Sequence, residues 1–416
     1  MLGGCVEFLL GFAFFYPLLM SYFWMTGGMY YYARWERTEP RRDSPPPLPA
    51  HPLVTLVVPC HNEGENVAET IRYLAEQDYP RFEIVAVNDG STDDTGAQLD
   101  ALLPLYKNLR VIHFAQNQGK SMGLRMAALG SNAEYLICID GDALLDRYAT
   151  RWMMHHLLAE GRVGAVTGNP RIRNRSTLIG KLQVGEFSSI IGLIKRAQRV
   201  YGRVFCVSGV IGGFRRTALH RAGYWACDMI TEDIDLTWRL QMDHWAVRYE
   251  PNAICWILMP ETLKGLWKQR LRWAQGGIEV ILRYGKAMLR WRMRRMLPIY
   301  IEYMLSLAWA YSMLSVVLLW ALGRIFTLPR ELQLPSLLPQ WHGVVLGATC
   351  LVQFMISMAI DRRCENGVGR YYYWMIWYPL AYWLLSMLTS VYAFPKALLK
   401  RRGTRAVWTS PDRGVK

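Results

Sequence analysis

The chain has 416 residues, of which 52% are hydrophobic, with a formal net charge of +15 and a mean hydropathy near zero. That is too apolar for an ordinary soluble enzyme and too charged for a pure membrane bundle, so a hybrid of soluble domain and membrane helices is expected. The basic residues gather beside apolar stretches, at 34–42, 290–295 and 400–405, which points to a lipid bilayer rather than nucleic acid as the partner.

Residues 8–33 carry no formal charge. That is enough helix to cross a hydrocarbon core of roughly 30 Å, which needs about 20 residues. No Lys or Arg precedes the stretch, whereas Arg34 and Arg37 follow it, so it reads as an anchor and not a cleaved leader. The trailing charges set the next domain in the cytoplasm. Chain order then gives an N-terminal transmembrane anchor at 1–33, a Pro-rich basic linker at 34–52 and a catalytic domain at 53–260. Interfacial helices follow at 261–296, a C-terminal transmembrane region of about three spans at 297–396, and a basic tail at 397–416. The expected spans are 297–322, 341–360 and 371–394. Four full crossings would leave the tail outside, against the charge rule, so one segment is expected to be re-entrant or interfacial.

Within 53–260 an apolar, β-branched run at 54–58 ends at Pro59 and leads into a helical pattern with Val67, Ile71 and Leu74 on one face. Strand patterns return at 82–87, 111–114 and 135–139, each followed by polar residues. Repeated strand and helix units imply a parallel, doubly wound α/β sheet that binds its ligand at the carboxyl ends of the strands. No Gly-x-Gly-x-x-Gly follows the first strand, which argues against a dinucleotide fold. Gly119-Lys120-Ser121 resembles a P-loop ending, yet Phe114 stands where that loop requires glycine. The eight cysteines are scattered singly, without the spacing of a zinc site or disulfide framework.

Four motifs remain. Asp89 lies in Asn88-Asp89-Gly90-Ser91-Thr92, which ordinary turn chemistry also explains. Asp140 and Asp142 flank Gly141 at a strand end, where two carboxylates can share a hard divalent cation that also bridges a diphosphate. Asp233 follows Thr231 and Glu232 at a helix start, where acids also suit the helix dipole. Gln269, Arg272 and Trp273 fall at spacings that share one helical face. That face offers forked donors for a diphosphate and a flat ring for a sugar, although an amphipathic interfacial helix accounts for the same pattern.

In order and spacing these residues resemble the processive inverting family 2 glycosyltransferases, with three aspartate motifs followed by Gln-x-x-Arg-Trp. The resemblance covers roughly 53–394 and is closest to the poly-β-1,6-N-acetylglucosamine synthases of bacterial biofilms. It is carried by 87–93, 138–146, 168–173, 229–235 and 267–277. The chain departs from the family in showing one N-terminal span where related enzymes often carry an additional one.

The resemblance implies a GT-A type, Rossmann-like domain flanked by transmembrane helices, in the bacterial inner membrane with its catalytic domain in the cytoplasm. It implies that Asp89 contacts the donor's uridine, Asp140 its nucleotide, and Asp142, with Asp140, a Mg²⁺ or Mn²⁺ ion. Asp233 would be the general base, Gln269 and Arg272 would secure the diphosphate, and Trp273 would stack under the acceptor. Glu63, Lys120 and Arg270 are further expected donor contacts. The implied partners are UDP-N-acetylglucosamine, the growing polysaccharide, a small membrane accessory subunit and cyclic di-GMP at a subunit interface. Trp374, Trp377 and Trp383 are expected as interface anchors before they are expected to line an exit path. Cellulose, chitin and hyaluronan type synthases share every motif. A lipid-linked sugar transferase would not need Gln-x-x-Arg-Trp, and a non-catalytic transport or binding subunit would not need its carboxylates.

Overall fold

The structure, a computed structural model, describes residues 2–334, 341–401, 403 and 405. Helix α1 (Leu2–Tyr31) ends in a π-helical turn at Tyr32–Glu36. The linker after it is stitched onto the domain: the Trp152 indole donates to the Arg42 carbonyl at 2.8 Å, and the Tyr79 hydroxyl donates to the Pro52 carbonyl at 2.8 Å.

The domain begins with the alternation read from the sequence, β1 (Val54–Cys60), α2 (Val67–Ala75), β2 (Phe82–Asp89), α3 (Thr95–Leu102), β3 (Leu109–Phe114), α4 (Lys120–Gly130) and β4 (Tyr135–Ile139). Every residue of β1 is buried, as expected for a parallel strand covered on both faces. Val54, Leu56 and Val58 pack with Val67, Ile71 and Leu74 of α2, while Val57 faces Leu124, Ala127 and Ala128 of α4. Gly90 has φ of +59°, and a Cβ there would lie 2.4 Å from the Gln116 carbonyl carbon. Only glycine closes that turn.

After β4 the chain runs through β5 (Leu144–Leu145), α5 (Ala149–Ala159), β6 (Val163–Ile172) and α6 (Leu178–Glu186). It continues through a π-helical turn at Phe187–Leu193 into α7 (Ile194–Val200), then β7 (Ile211–Arg215), α8 (Arg216–Ala222), α9 (Glu232–Met242) and β8 (Ala246–Ile257). Strand order is β3-β2-β1-β4-β7-β6-β8-β5. The expected all-parallel sheet therefore holds only as far as β4. Strand β7 is antiparallel to both β4 and β6, because the long excursion through α6 and α7 returns the chain from the opposite end of the sheet.

Beyond the sheet lie α10 (Leu263–Met288), a 3₁₀ turn at Trp291–Met296, α11 (Leu297–Ile325), α12 (Trp341–Asp361), a 3₁₀ segment at Val368–Trp377 and α13 (Tyr378–Leu399). Among the described residues three helical stretches are long and apolar enough to cross a membrane: Val6–Glu36, Trp291–Ile325 and Trp341–Asp361. The expected fourth span at 371–394 is not among them. Helix α13 runs along α10, with Tyr382 and Arg270 lining one cavity near its start, Ala393 and Ala397 packed with Ile278, and Lys400 paired with Glu279 at 2.8 Å just beyond its end. It also packs along α11, where the Tyr311 hydroxyl donates to the Val391 carbonyl at 3.3 Å. Of that tail, residues 402, 404 and 406–416 lie outside the described residues.

A buried ionic cluster fastens the spans to the domain. Arg196 of α7 pairs with Glu36 after α1 at 2.7 Å and with Asp361 at the end of α12 at 2.9 Å, and Arg171 of β6 pairs with Asp361 at 2.6 Å. All four side chains are at most 1% exposed.

Candidate active site

A cavity of about 890 Å³ opens at the carboxyl ends of β1 and β4, bounded by α4, α9 and α10 and by the π-helical turn before α7. Its wall contains Glu63, Lys120, Asp140, Asp142, Asp233, Gln269, Arg270, Arg272 and Trp273. Side chains more than 200 residues apart in sequence thus converge on one space. Asp89 is not part of that wall. It is fully buried, and its carboxylate accepts the backbone amides of Gln118 at 2.6 Å and Gly119 at 2.8 Å. Asp89 thereby fixes the turn that starts α4 and presents Lys120.

Lys120 pairs with Asp140 and lies 3.7 Å from Glu232. Burial acting alone would lower the Lys120 pKa, but Asp140 and Glu232 outweigh it and hold the ammonium well above the usual lysine range. Asp142 is mostly buried, and burial together with the Asp140 charge pushes its carboxyl up to about 7. An extra cation at this pair would relieve that repulsion, and two adjacent carboxylates are the hard oxygen donors that Mg²⁺ or Mn²⁺ prefers. Among the described residues no group of three or more His, Cys, Asp or Glu stands ready to hold a metal. The pair would by itself supply part of the oxygen ligand set of such an ion.

Asp233 is held at both oxygens. Oδ2 accepts the Gly209 amide at 2.9 Å and Oδ1 accepts the Ile234 amide at 2.9 Å. Each oxygen keeps a second lone pair available to receive a proton. Glu232 and Asp235, its neighbours in the first turn of α9, have other duties. Asp235 is fully buried and tied to Arg239 at 2.7 Å and to the Tyr284 hydroxyl at 2.7 Å.

On α10 the motif residues divide by face. Arg272 and Trp273 are exposed toward the cavity. Arg270 is buried, paired with Glu186 at 2.6 Å, with its guanidinium 4.3 Å from the centre of the Trp273 ring. Gln269 accepts from Arg270 at 3.3 Å. Arg270 thus braces the motif from behind while lining the cavity edge.

The cavity continues between α11 and α13, past Tyr378, Tyr382, Ser386, Thr389 and Ser390. Four of these recur at every fourth position of α13, a hydroxyl stripe on a helix that otherwise reads as apolar. The spacing of the stripe is legible in the sequence, but nothing in the residue types tells it from ordinary helix polarity. The tryptophans considered as lining residues take other places: Trp374 stacks under Lys181 at 4.5 Å, Trp377 is exposed, and Trp383 packs beside Met387. Lys195, Cys206 and Gly209 also line the site without belonging to any motif. Burial, and then the nearby Asp233, hold the Cys206 thiol well above its usual range, so it remains protonated.

Comparison with known proteins bears on this arrangement. Residues 55–223 match the profile of glycosyl transferase family 2. The chain is 36% identical over 410 residues to a poly-beta-1,6-N-acetyl-D-glucosamine synthase of Staphylococcus epidermidis, covering 97% of this chain and 98% of that one. A Staphylococcus aureus synthase of the same name is 36% identical over 408 residues, with the same shares covered. Among solved structures, the mannosyltransferase PcManGT from Pyrobaculum calidifontis, in complex with GDP-Man and Mn²⁺, superposes with a TM-score of 0.64 at 21% identity, over 96% of this chain and 99% of that one. The last likeness is one of fold, and it extends through the flanking helices. The near full-length identity together with the matched profile makes this chain a member of the poly-beta-1,6-N-acetyl-D-glucosamine synthases, within glycosyl transferase family 2.

Proposed function

We propose that the protein polymerises N-acetylglucosamine from UDP-N-acetylglucosamine into a β-1,6-linked chain and passes the product across the bacterial inner membrane into a biofilm matrix. The observation that carries this reading is the convergence of Asp140, Asp142, Asp233, Gln269, Arg272 and Trp273 on one cavity that continues between α11 and α13.

In this reading the acceptor's 6-hydroxyl oxygen bonds to the anomeric carbon of the donor. The bond from that carbon to the phosphate oxygen breaks, UDP departs, and Asp233 receives the hydroxyl proton. A single displacement turns an α-linked donor into a β-linked product. The Gly209 and Ile234 amides hold the Asp233 carboxylate in one orientation throughout. Arg272 and Gln269 bind the departing diphosphate, and Trp273 offers its ring face to the acceptor sugar. Asp140 and Asp142 would hold Mg²⁺ or Mn²⁺, which supplies charge stabilisation for the leaving UDP. Asp89 acts through the turn it holds, with Lys120 and Glu63 on the donor side.

The basic flanks at Arg34, Arg37 and 290–295 support a cytoplasmic catalytic domain. A small membrane accessory subunit, with cyclic di-GMP at its interface, is part of the same reading.

The test is incorporation of labelled sugar by membranes holding this chain, with and without the accessory subunit and cyclic di-GMP. The donors are UDP-N-acetylglucosamine, UDP-glucose, or UDP-N-acetylglucosamine with UDP-glucuronate. Polymer from UDP-N-acetylglucosamine alone, cut by a β-1,6-specific hydrolase, is expected. Chelation should abolish it, Asp142→Asn should raise the Mg²⁺ or Mn²⁺ needed, and Asp233→Asn should make none. Polymer from UDP-glucose, or full activity in Asp233→Asn, would overturn the reading.

A further inference from the structure

Lys195 is the first side chain after the opening residue of α7, it is 5% exposed, and it lines the same cavity as Asp233. The other deeply buried cations each have a carboxylate close by: Arg171 and Arg270 at 2.6 Å, Arg196 at 2.7 Å, and Lys120 in its pair with Asp140. Among the described residues Lys195 has no carboxylate within 4.0 Å. A buried charge without a counter-ion is costly, and Lys195 carries one beside the proposed base.

What seats Lys195 is a hydroxyl. Its Nζ donates to Thr167 Oγ1 at 2.9 Å, and Thr167 is fully buried on β6. The same oxygen accepts the Ser208 amide at 3.0 Å. The next residue, Gly209, donates its amide to Asp233 Oδ2 at 2.9 Å, and its carbonyl accepts from Lys120 at 3.1 Å. A continuous path therefore runs from Lys195 through Thr167 and the Ser208–Gly209 backbone to one oxygen of Asp233.

We infer that Lys195, seated by Thr167, is a positioning residue for Asp233: it anchors the strand of backbone that aims the carboxylate and places a positive charge beside it. The inference rests on Asp233 being the base of a glycosyl transfer. The acid whose charge Lys195 feels is Asp233, across from α9, while the neutral Cys206 thiol lies on the intervening loop. Lys195 also faces Tyr249 of β8, whose ring centre is 5.9 Å from its Nζ. Asp233 in turn faces Lys120 from α4, Cys206 from the loop and Glu232 on its own helix. Burial pulls the Lys195 pKa down to about 8, so the ammonium is still charged at neutral pH.

Charge and anchoring separate in two substitutions. Lys195→Met removes both, whereas Thr167→Val removes the anchor and leaves the ammonium. Sugar transfer by the full chain in membranes is measured across pH 5 to 9 for both variants and for Lys195→Arg, with thermal midpoints in detergent. Loss of a cation near the base raises the base's pKa, by about one unit for a separation of several ångströms. Lys195→Met is therefore expected to move the acid limb of kcat up by about one pH unit and to lower plateau kcat by about tenfold or more, with KM for UDP-N-acetylglucosamine little changed. Thr167→Val should lower kcat with the acid limb in place. Lys195→Arg should restore the acid limb, and it decides the question should Lys195→Met fail to fold. An acid limb unmoved in Lys195→Met, displaced in Lys195→Arg, or a rise in KM with kcat intact overturns the assignment while leaving the glycosyltransferase reading untouched. No transfer by the unsubstituted protein with any donor overturns that reading and this one with it.

Discussion

The backbone amide of Gly209 donates to Oδ2 of Asp233 at 2.9 Å, and the approach is so close that a Cβ on Gly209 would itself lie 2.9 Å from that oxygen and 3.4 Å from Lys120 Nζ. Adding a methyl group leaves the backbone conformation free of strain, because Gly209 does not have a positive φ. What must give way is the carboxylate. Gly209→Ala is expected to fold normally and to lose about tenfold to a hundredfold in kcat, the scale of a misplaced reacting group. Initial rates beside thermal midpoints in detergent check it, and unchanged kcat would mean the carboxylate tolerates displacement.

Asp89 divides its carboxylate between two backbone amides. Asparagine presents an NH₂ to one of them, leaving a buried donor without an acceptor at a cost of roughly 1–3 kcal/mol. Asp89→Asn is expected to lower the thermal midpoint and weaken UDP binding together, because the loosened turn carries Lys120. Calorimetric titration with UDP, paired with a melting curve, measures both. Weaker binding at an unchanged midpoint would instead mark Asp89 as a direct nucleotide contact.

Arg270 and Glu186 form a buried pair between α10 and α6. Burial raises the Glu186 pKa and the Arg270 charge opposes that rise. Removing one partner of such a pair costs about 3–5 kcal/mol, because the other is left buried and uncompensated. Arg270→Met is expected to destabilise by that order, and Arg270→Met combined with Glu186→Gln to recover part of it. Denaturation in mild detergent gives the comparison, and equal losses in the single and double variants would show that the pair is not coupled.

Arg196 sits next to Lys195 in sequence, yet it faces the membrane-proximal cluster with Glu36 and Asp361. Arg196→Met leaves two buried carboxylates short of a cation, and a loss of about 3–5 kcal/mol is expected. Lys195→Met should cost far less, since it removes a charge that has no carboxylate partner. A thermal comparison of the two neighbours tests whether α7 divides its duties by face.

That division explains what was legible in the sequence. Asp140, Asp142, Asp233, Gln269, Arg272 and Trp273 stand in patterns whose residue types announce a chemistry, and all line the cavity. Lys195 and Arg196 read as an ordinary basic pair. Consecutive helical residues point about 100° apart, so which of them meets the active site depends on what packs around α7. Asp89 carried a motif but not its geometry, because a turn aspartate that binds a ligand and one that binds its own backbone look alike in sequence.

The sequence by itself determined the alternation that builds the first half of the sheet, the basic-flanked apolar helices and the residue types of the site, because these follow from local periodicity and side-chain chemistry. Tertiary structure alone decided that β7 runs antiparallel, that α13 packs against both α10 and α11, and that Thr167, Ser208 and Gly209 link Lys195 to Asp233. Each depends on contacts between segments far apart in the chain, whose partners are chosen by packing and by the need to satisfy buried polar groups.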